Sequence, residues 1–259
     1  NSLPSVGRKY ELNLTAKYTE AWGIRWAPKI DLADGLSLSP GINLMKGKKL
    51  TDGHVSGDLV LQHAGFSEAD FKSANVGIHY HYSKPQLHEQ DLDWYPNAPD
   101  GQGASLDLRL NWQTNEKMRF SLQLYDVYGQ IRWQKTPRTP IDFNYDSTQG
   151  YNLAGQLAVD DSFTQQLPMR GTLTGDFSNQ TNWKSGFNLT ANRYVCLGQA
   201  YVGYQLNQWL TKLLLEPQTK AVGIDISHPY LHLRWLADSL DTNRAYRLGA
   251  SLAISVPLH

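Results

Sequence analysis

Apolar and polar residues alternate along almost the whole chain, and nothing else in the sequence restricts the fold as tightly. At the end, Tyr246, Leu248, Ala250, Leu252, Ile254, Val256 and Leu258 are apolar, while every residue between them from Arg247 to Pro257 is polar, small or proline. A period of two places one set on each face of an extended strand. Tyr10 to Tyr18, Trp22 to Trp26, Leu36 to Leu44, Val76 to Tyr82, Leu106 to Trp112 and Phe120 to Leu124 repeat the pattern. So do Val127 to Trp133, Tyr151 to Val159, Phe187 to Ala191, Val202 to Leu206, Val222 to Ile226 and Leu231 to Trp235. No segment carries a helical period. The chain reads as all-β and antiparallel, one domain over residues 1–259, with about fourteen strands and twelve as the nearest alternative.

The remaining question is what the apolar face meets. A soluble sandwich turns it inward and shows water a charged face. Here the polar faces are rich in Asn, Gln, Ser, Thr and Gly, and charged residues make up only 19% of the chain. Trp and Tyr stand at the ends of apolar stripes, at Tyr10, Tyr18, Trp22, Trp26, Trp112, Trp133, Trp235 and Tyr246, which is the placement a lipid–water interface favours. Both features point to an up-and-down transmembrane β-barrel, whose strands need about 9–11 tilted residues to cross the hydrocarbon. Mean hydropathy is −0.48, and the greasiest stretch, 209–215, is short and interrupted by Lys212, so a helical span is excluded. The 24 basic and 24 acidic residues balance, which removes any general attraction to nucleic acid. Cys196 is the single cysteine and admits no intrachain disulfide. The opening residues have no basic segment followed by an apolar core, so export implies a signal peptide already removed.

Connections are expected to alternate in length. Long polar loops are expected at 46–53, 84–103, 135–149 and 238–243, with mostly shorter links at 31–35, 113–117 and 160–166, although the link at 64–73 on that side is not short. Long external loops and short periplasmic turns are the outer-membrane arrangement.

Over essentially its full length the chain resembles the Gram-negative outer-membrane β-barrel class. The segment from Tyr246 to Leu252 is similar to the last strand of small oligosaccharide-specific channels of that class, with Leu258-His259 where a terminal aromatic usually stands. The resemblance implies the bacterial outer membrane as location, its lipids as partners, and a channel passing or exporting small anionic or sugar-like solutes. Mid-strand basic residues give that channel a mildly basic lumen: Arg25, Arg109, Arg119, Arg132, Arg234 and Arg247, with Lys17. The planar donor fork of arginine suits carboxylates, sulfates and phosphates, and rings of such residues set anion preference in pores. Set against this, the arginines can pair with Glu11, Asp58, Asp107, Asp176 and Asp225 across strands and plug the barrel.

Two other functions remain open. In one, long loops such as 84–103, which is acidic, aromatic and proline-rich, bind a surface partner in a structural, adhesive or secretion role. In the other, His54, Ser56 and Asp58, at i, i+2 and i+4 on one strand face, act on an ester. His54-x-Ser56 is similar to the His-x-Ser of outer-membrane phospholipases and lipid A deacylases, which implies Ser56 as nucleophile and His54 as base. Those families place asparagine after the serine, where Gly57-Asp58 stand here. His79 and His81 also share a face, but two ligands do not close a metal site. No metal or other cofactor is expected.

Overall fold

The computed structural model describes residues 7–63, 70–87, 89–179, 181–239, 241, 245 and 247–255. Tyr246 and Val256 to His259, part of the expected last strand, lie outside the described residues. Fifteen strands form one antiparallel sheet, with no α-helix among the described residues. They are β1 (Lys9–Trp26), β2 (Ile30–Ala33), β3 (Leu36–Leu61), β4 (Phe71–Tyr82), β5 (Asp100–Asn115), β6 (Met118–Asp146), β7 (Gly150–Gly155) and β8 (Ala158–Gln166). β9 (Arg170–Ser178), β10 (Trp183–Asn192), β11 (Cys196–Leu206), β12 (Trp209–Glu216), β13 (Ala221–His228), β14 (Leu231–Ala237) and β15 (Leu248–Ile254) follow.

Fifteen strands replace the expected fourteen because several runs of the sheet are interrupted. β1 and β2 both pair with β3 and are separated at Pro28, while β4 and β5 both lie between β3 and β6. β7, β8 and β9 pair in turn with Ile141–Asp146, Gln130–Arg138 and Met118–Tyr125 of β6. Proline lacks the N–H a ladder needs, and Pro28 and Pro168 sit in two of these breaks. The tight turn before β3 uses Gly35 at φ 73°, a conformation that is costly for residues with a Cβ. At the β6–β7 turn Asp146 accepts hydrogen bonds from the hydroxyl and the N–H of Thr148, which hold its carboxyl below the usual range.

Three expected connections are strand instead. Residues 46–53 lie inside β3, 135–146 inside β6 and 160–166 inside β8. Local composition suggested loops, but pairing on both sides overrides it: Pro137 stands opposite Val159, and Pro140 opposite His79. The 84–103 connection is a loop as far as residue 99.

The sheet's residues fall into two compact units. One holds Asn1–Ile24, Leu44–Ala104 and Gln130–Gln166; the other holds Arg25–Asn43, Ser105–Gly129 and Leu167–His259.

The first unit has an aromatic core. Trp133 is 0% exposed and packs on Gly47 and Gly101, where any Cβ would fall within 2.6 Å of its ring. Trp133 was expected at a lipid interface. It is buried because β6 runs on as one strand, which puts Ile131 and Trp133 on the buried face and Arg132 on the exposed one. Gln165, on β8, accepts a hydrogen bond from Thr19 of β1 at 2.8 Å. The 83–99 loop is anchored by a chain of hydrogen bonds. Trp94 donates to the Tyr82 hydroxyl at 2.8 Å, and the Thr139 hydroxyl donates to Glu89 at 3.2 Å. A hydroxyl has one hydrogen, so Tyr82 is the donor in its 3.0 Å bond to Thr139. Glu89, only 3% exposed, also accepts from the Leu87 N–H.

The second unit is turned inside out relative to a soluble sheet. Register aligns Val202, Leu213, Ile224, Trp235 and Ala250 in one row across β11–β15, and Tyr204, Thr211, Ile226, Leu233 and Leu252 in the next. This apolar face is the open one: Leu213 is 58% and Ile224 47% exposed. The opposite face carries the buried residues, the apolar cluster Leu214, Ala221 and Leu236 together with charged Asp225 at 6% and Glu216 at 3%. Aromatic groups gather near the turns at one end. Trp183 meets Tyr204, Trp209 meets His228, and Trp112, Phe120 and Phe177 form a run.

Candidate functional site: a basic pocket on the polar face

The polar face of the second unit is crossed by side chains that span several strands. Arg25 pairs with Asp107 at 3.2 Å. Arg234 on β14 donates to Gln199 on β11 at 2.8 Å, and Arg247 pairs with Glu216 at the end of β12 at 3.0 Å. In each arrangement the acceptor is less exposed than the arginine, or both are partly buried, and such shielding makes these links stronger than exposed pairs. Asp225 accepts from Ser227 and lies 3.1 Å from the His232 ring nitrogen.

Near the β5–β6 turn the same face opens into a cavity of about 350 Å³. Two adjacent rows build it. The first runs Arg119, Asp176, Gly186, Tyr201 across β6, β9, β10 and β11. With no side chain at Gly186, the Tyr201 ring lies over its backbone, where a Cβ would come within 2.6 Å of the ring. The Tyr201 hydroxyl thereby reaches over β10 and donates to Asp176 at 2.5 Å. The second row runs Lys184, Gly203, Lys212 across β10, β11 and β12. The Lys212 ammonium sits 4.7 Å from the Tyr201 ring centroid, within cation–π range. Arg119, Lys184 and Lys212 make no ion pair among the described residues.

Of the arginines expected along a lumen, the structure brings only Arg119 into this pocket. Arg25, Arg234 and Arg247 are engaged as described, Arg109 is exposed on β5, and Arg132 is exposed on the face opposite Trp133. Lys184, Lys212 and Tyr201 were not singled out from sequence, because only the inter-strand register makes them neighbours.

The ester-hydrolase residues lie in the first unit. His54 stands opposite His79, Ser56 opposite Gly77 and Asp58 opposite Asn75. The His54 ring is 3.5 Å from the Thr15 hydroxyl, and Asp58 pairs with Lys9 at 3.4 Å, as Lys17 does with Asp52 at 3.5 Å. The flanking β1 strand thus occupies both the expected base and the expected acid. His81 lies 2.9 Å from Asp160, which also pairs with Arg138, and stacks on Phe163 at 3.9 Å. Among the described residues no group of three or more His, Cys, Asp or Glu is placed to hold a metal ion. No family model matches this chain, and no curated protein or solved structure matches it either.

Proposed function

We propose that this chain is a membrane-embedded β protein of the bacterial outer-membrane type, whose polar face carries small anionic or sugar-like solutes. One observation carries the reading: in the second unit rows of mostly apolar side chains, Val202, Leu213, Ile224, Leu233 and Leu252 among them, are open while Asp225 and Glu216 on the opposite face are buried. In water such a surface is unfavourable at roughly 25 cal/mol per Å² of apolar area, and an exposed apolar patch of that extent marks an interaction surface. Hydrocarbon removes the penalty. β9–β15 have seven to eleven residues each, close to the tilted length a bilayer demands. The aromatic groups at the turn end suit the headgroup level, and the unpaired cations of the pocket suit anions.

The test is heat-modifiable gel mobility of the detergent-extracted chain, followed by planar-bilayer recording. A band that shifts on boiling, with anion-biased conductance, is the expected result. Extraction into buffer without detergent would overturn the membrane reading.

A second reading draws on the buried Trp133 and the anchored 83–99 loop. In it the chain is still membrane-embedded but closed to solutes, and the loop binds a partner. A heat-shifting band without conductance selects it.

A further inference from the structure

We infer that the pocket framed by Arg119, Lys184, Lys212 and Tyr201 is a binding site for a small multivalent anion, a solute carrying two or more carboxylates or one phosphate group. The inference deepens the proposed solute reading and rests on the polar face being open to solution. Adjacent strands lie about 4.8 Å apart, so Lys184 and Lys212, flanking Gly203, have backbones roughly 10 Å apart. Their flexible four-carbon stems bring both ammonium groups within reach of one small solute held between them. Gly203 is closely packed: a Cβ there would meet the Thr211 carbonyl oxygen at 2.7 Å and the Lys212 side chain at 3.0 Å, so the glycine lets the Lys212 stem lie across β11 toward Tyr201.

The neighbouring acids, Glu116 and Asp176 in the cavity wall and Asp225 beyond it, form no ion pair with these cations among the described residues. Asp176 lies directly across from Arg119 but takes its hydrogen bond from Tyr201. Asp225, next in register to Lys212, is held by Ser227 and His232. Four cations, Lys117, Arg119, Lys184 and Lys212, thus line one cavity against the two carboxylates of Glu116 and Asp176, and a multivalent anion supplies the charge and acceptors that two carboxylates leave short. Arginine contributes a planar fork for one carboxylate or phosphate edge, and the lysines contribute movable point charges for the other. The Tyr201 ring forms an apolar wall. A neutral sugar leaves the cations unpaired, so the site discriminates by charge.

The experiment is calorimetric titration of the full chain in detergent with citrate and with inorganic phosphate, using sucrose as the neutral control. Saturable binding of citrate or phosphate at low salt, weakening as salt rises, is expected, with none for sucrose. Lys184→Gln and Lys212→Gln should each weaken it about tenfold, the cost of one charged hydrogen bond. Lys29→Gln, in an exposed pair with Asp31, should leave it unchanged. An unshifted heat-modifiable band reports that each variant is folded. If a variant does not fold, lysine acetylation of the unaltered chain replaces it, and citrate should protect Lys184 and Lys212 but not Lys29. Absence of saturable binding, equal affinity in the variants, or no protection would overturn the site. Binding without bilayer conductance keeps the site and rejects the channel, whereas conductance without lysine-dependent binding does the reverse.

Discussion

Tyr201 holds one Asp176 oxygen by a hydrogen bond that reaches over β10, and it can do so because Gly186 has no side chain to lift the ring away. Tyr201→Phe removes the hydroxyl and leaves Asp176 facing Arg119 across adjacent strands. Binding of citrate should fall several-fold in that variant, measured by the same titration, although no cation has been altered. Trp133 sets a different residue-scale limit. Replacing it with alanine opens a cavity against Gly47 and Gly101, and large-to-small changes of this kind cost about 3–5 kcal/mol. The expected outcome is a clear drop in the temperature at which the heat-modifiable band is lost. Arg119 was legible from sequence as a basic residue on a polar strand face. Lys184 and Lys212 were equally visible as residues, but their facing each other across Gly203 is a property of register between three strands. One-residue slips in register turn every side chain over, and nothing local in the sequence of β10–β12 specifies which lysine meets which gap.

At the scale of elements, the loop between β4 and β5 is held by the chain Trp94, Tyr82, Thr139, Glu89. Cutting the final acceptor with Glu89→Ala strands the Leu87 N–H and the Thr139 hydroxyl, a loss of about 1–3 kcal/mol. Chymotryptic cleavage within 83–99 should speed up by about tenfold or more while the remaining strands stay protected. Unchanged cleavage would show that the loop does not depend on this anchor. The loop itself was legible from its prolines and its lack of alternation, but its attachment was not, since Glu89 and Trp94 resemble any exposed acidic and aromatic loop residues. The reverse error occurred at 46–53 and 135–146. Glycine, lysine and proline there imitate a turn, yet neighbours on both sides keep the backbone in the ladder, with Lys135 as a local irregularity at φ 51°. Where alternation is regular, as in β11, β13 and β14, sequence and structure coincide, because the period-two pattern is the physical cause of the two faces.

Over the whole molecule the exposed apolar rows of β11–β15 decide between water and lipid. Nitroxide labels at positions 202, 213 and 224 in reconstituted vesicles should meet oxygen, which partitions into lipid, more often than a water-soluble nickel relaxer. Labels at positions 205 and 227, on the other face, should show the opposite preference. Ile224→Arg places a charge in the middle of the apolar face, for which about 2–4 kcal/mol is the expected cost at a bilayer midplane. Folding yield into vesicles should fall, whereas a face that meets water would tolerate the change. All-β character was legible at this scale from alternation alone. The division into two units was not, because β3 and β6 run through the dividing points without any break in composition.

That continuity has a mechanical consequence. The unit boundaries at 24/25, 43/44, 104/105 and 129/130 fall inside β1, β3, β5 and β6, so four strands are common property of both halves. Pulled or heated, each of these four strands should therefore lose its ladder as one length, with no stop at the dividing point.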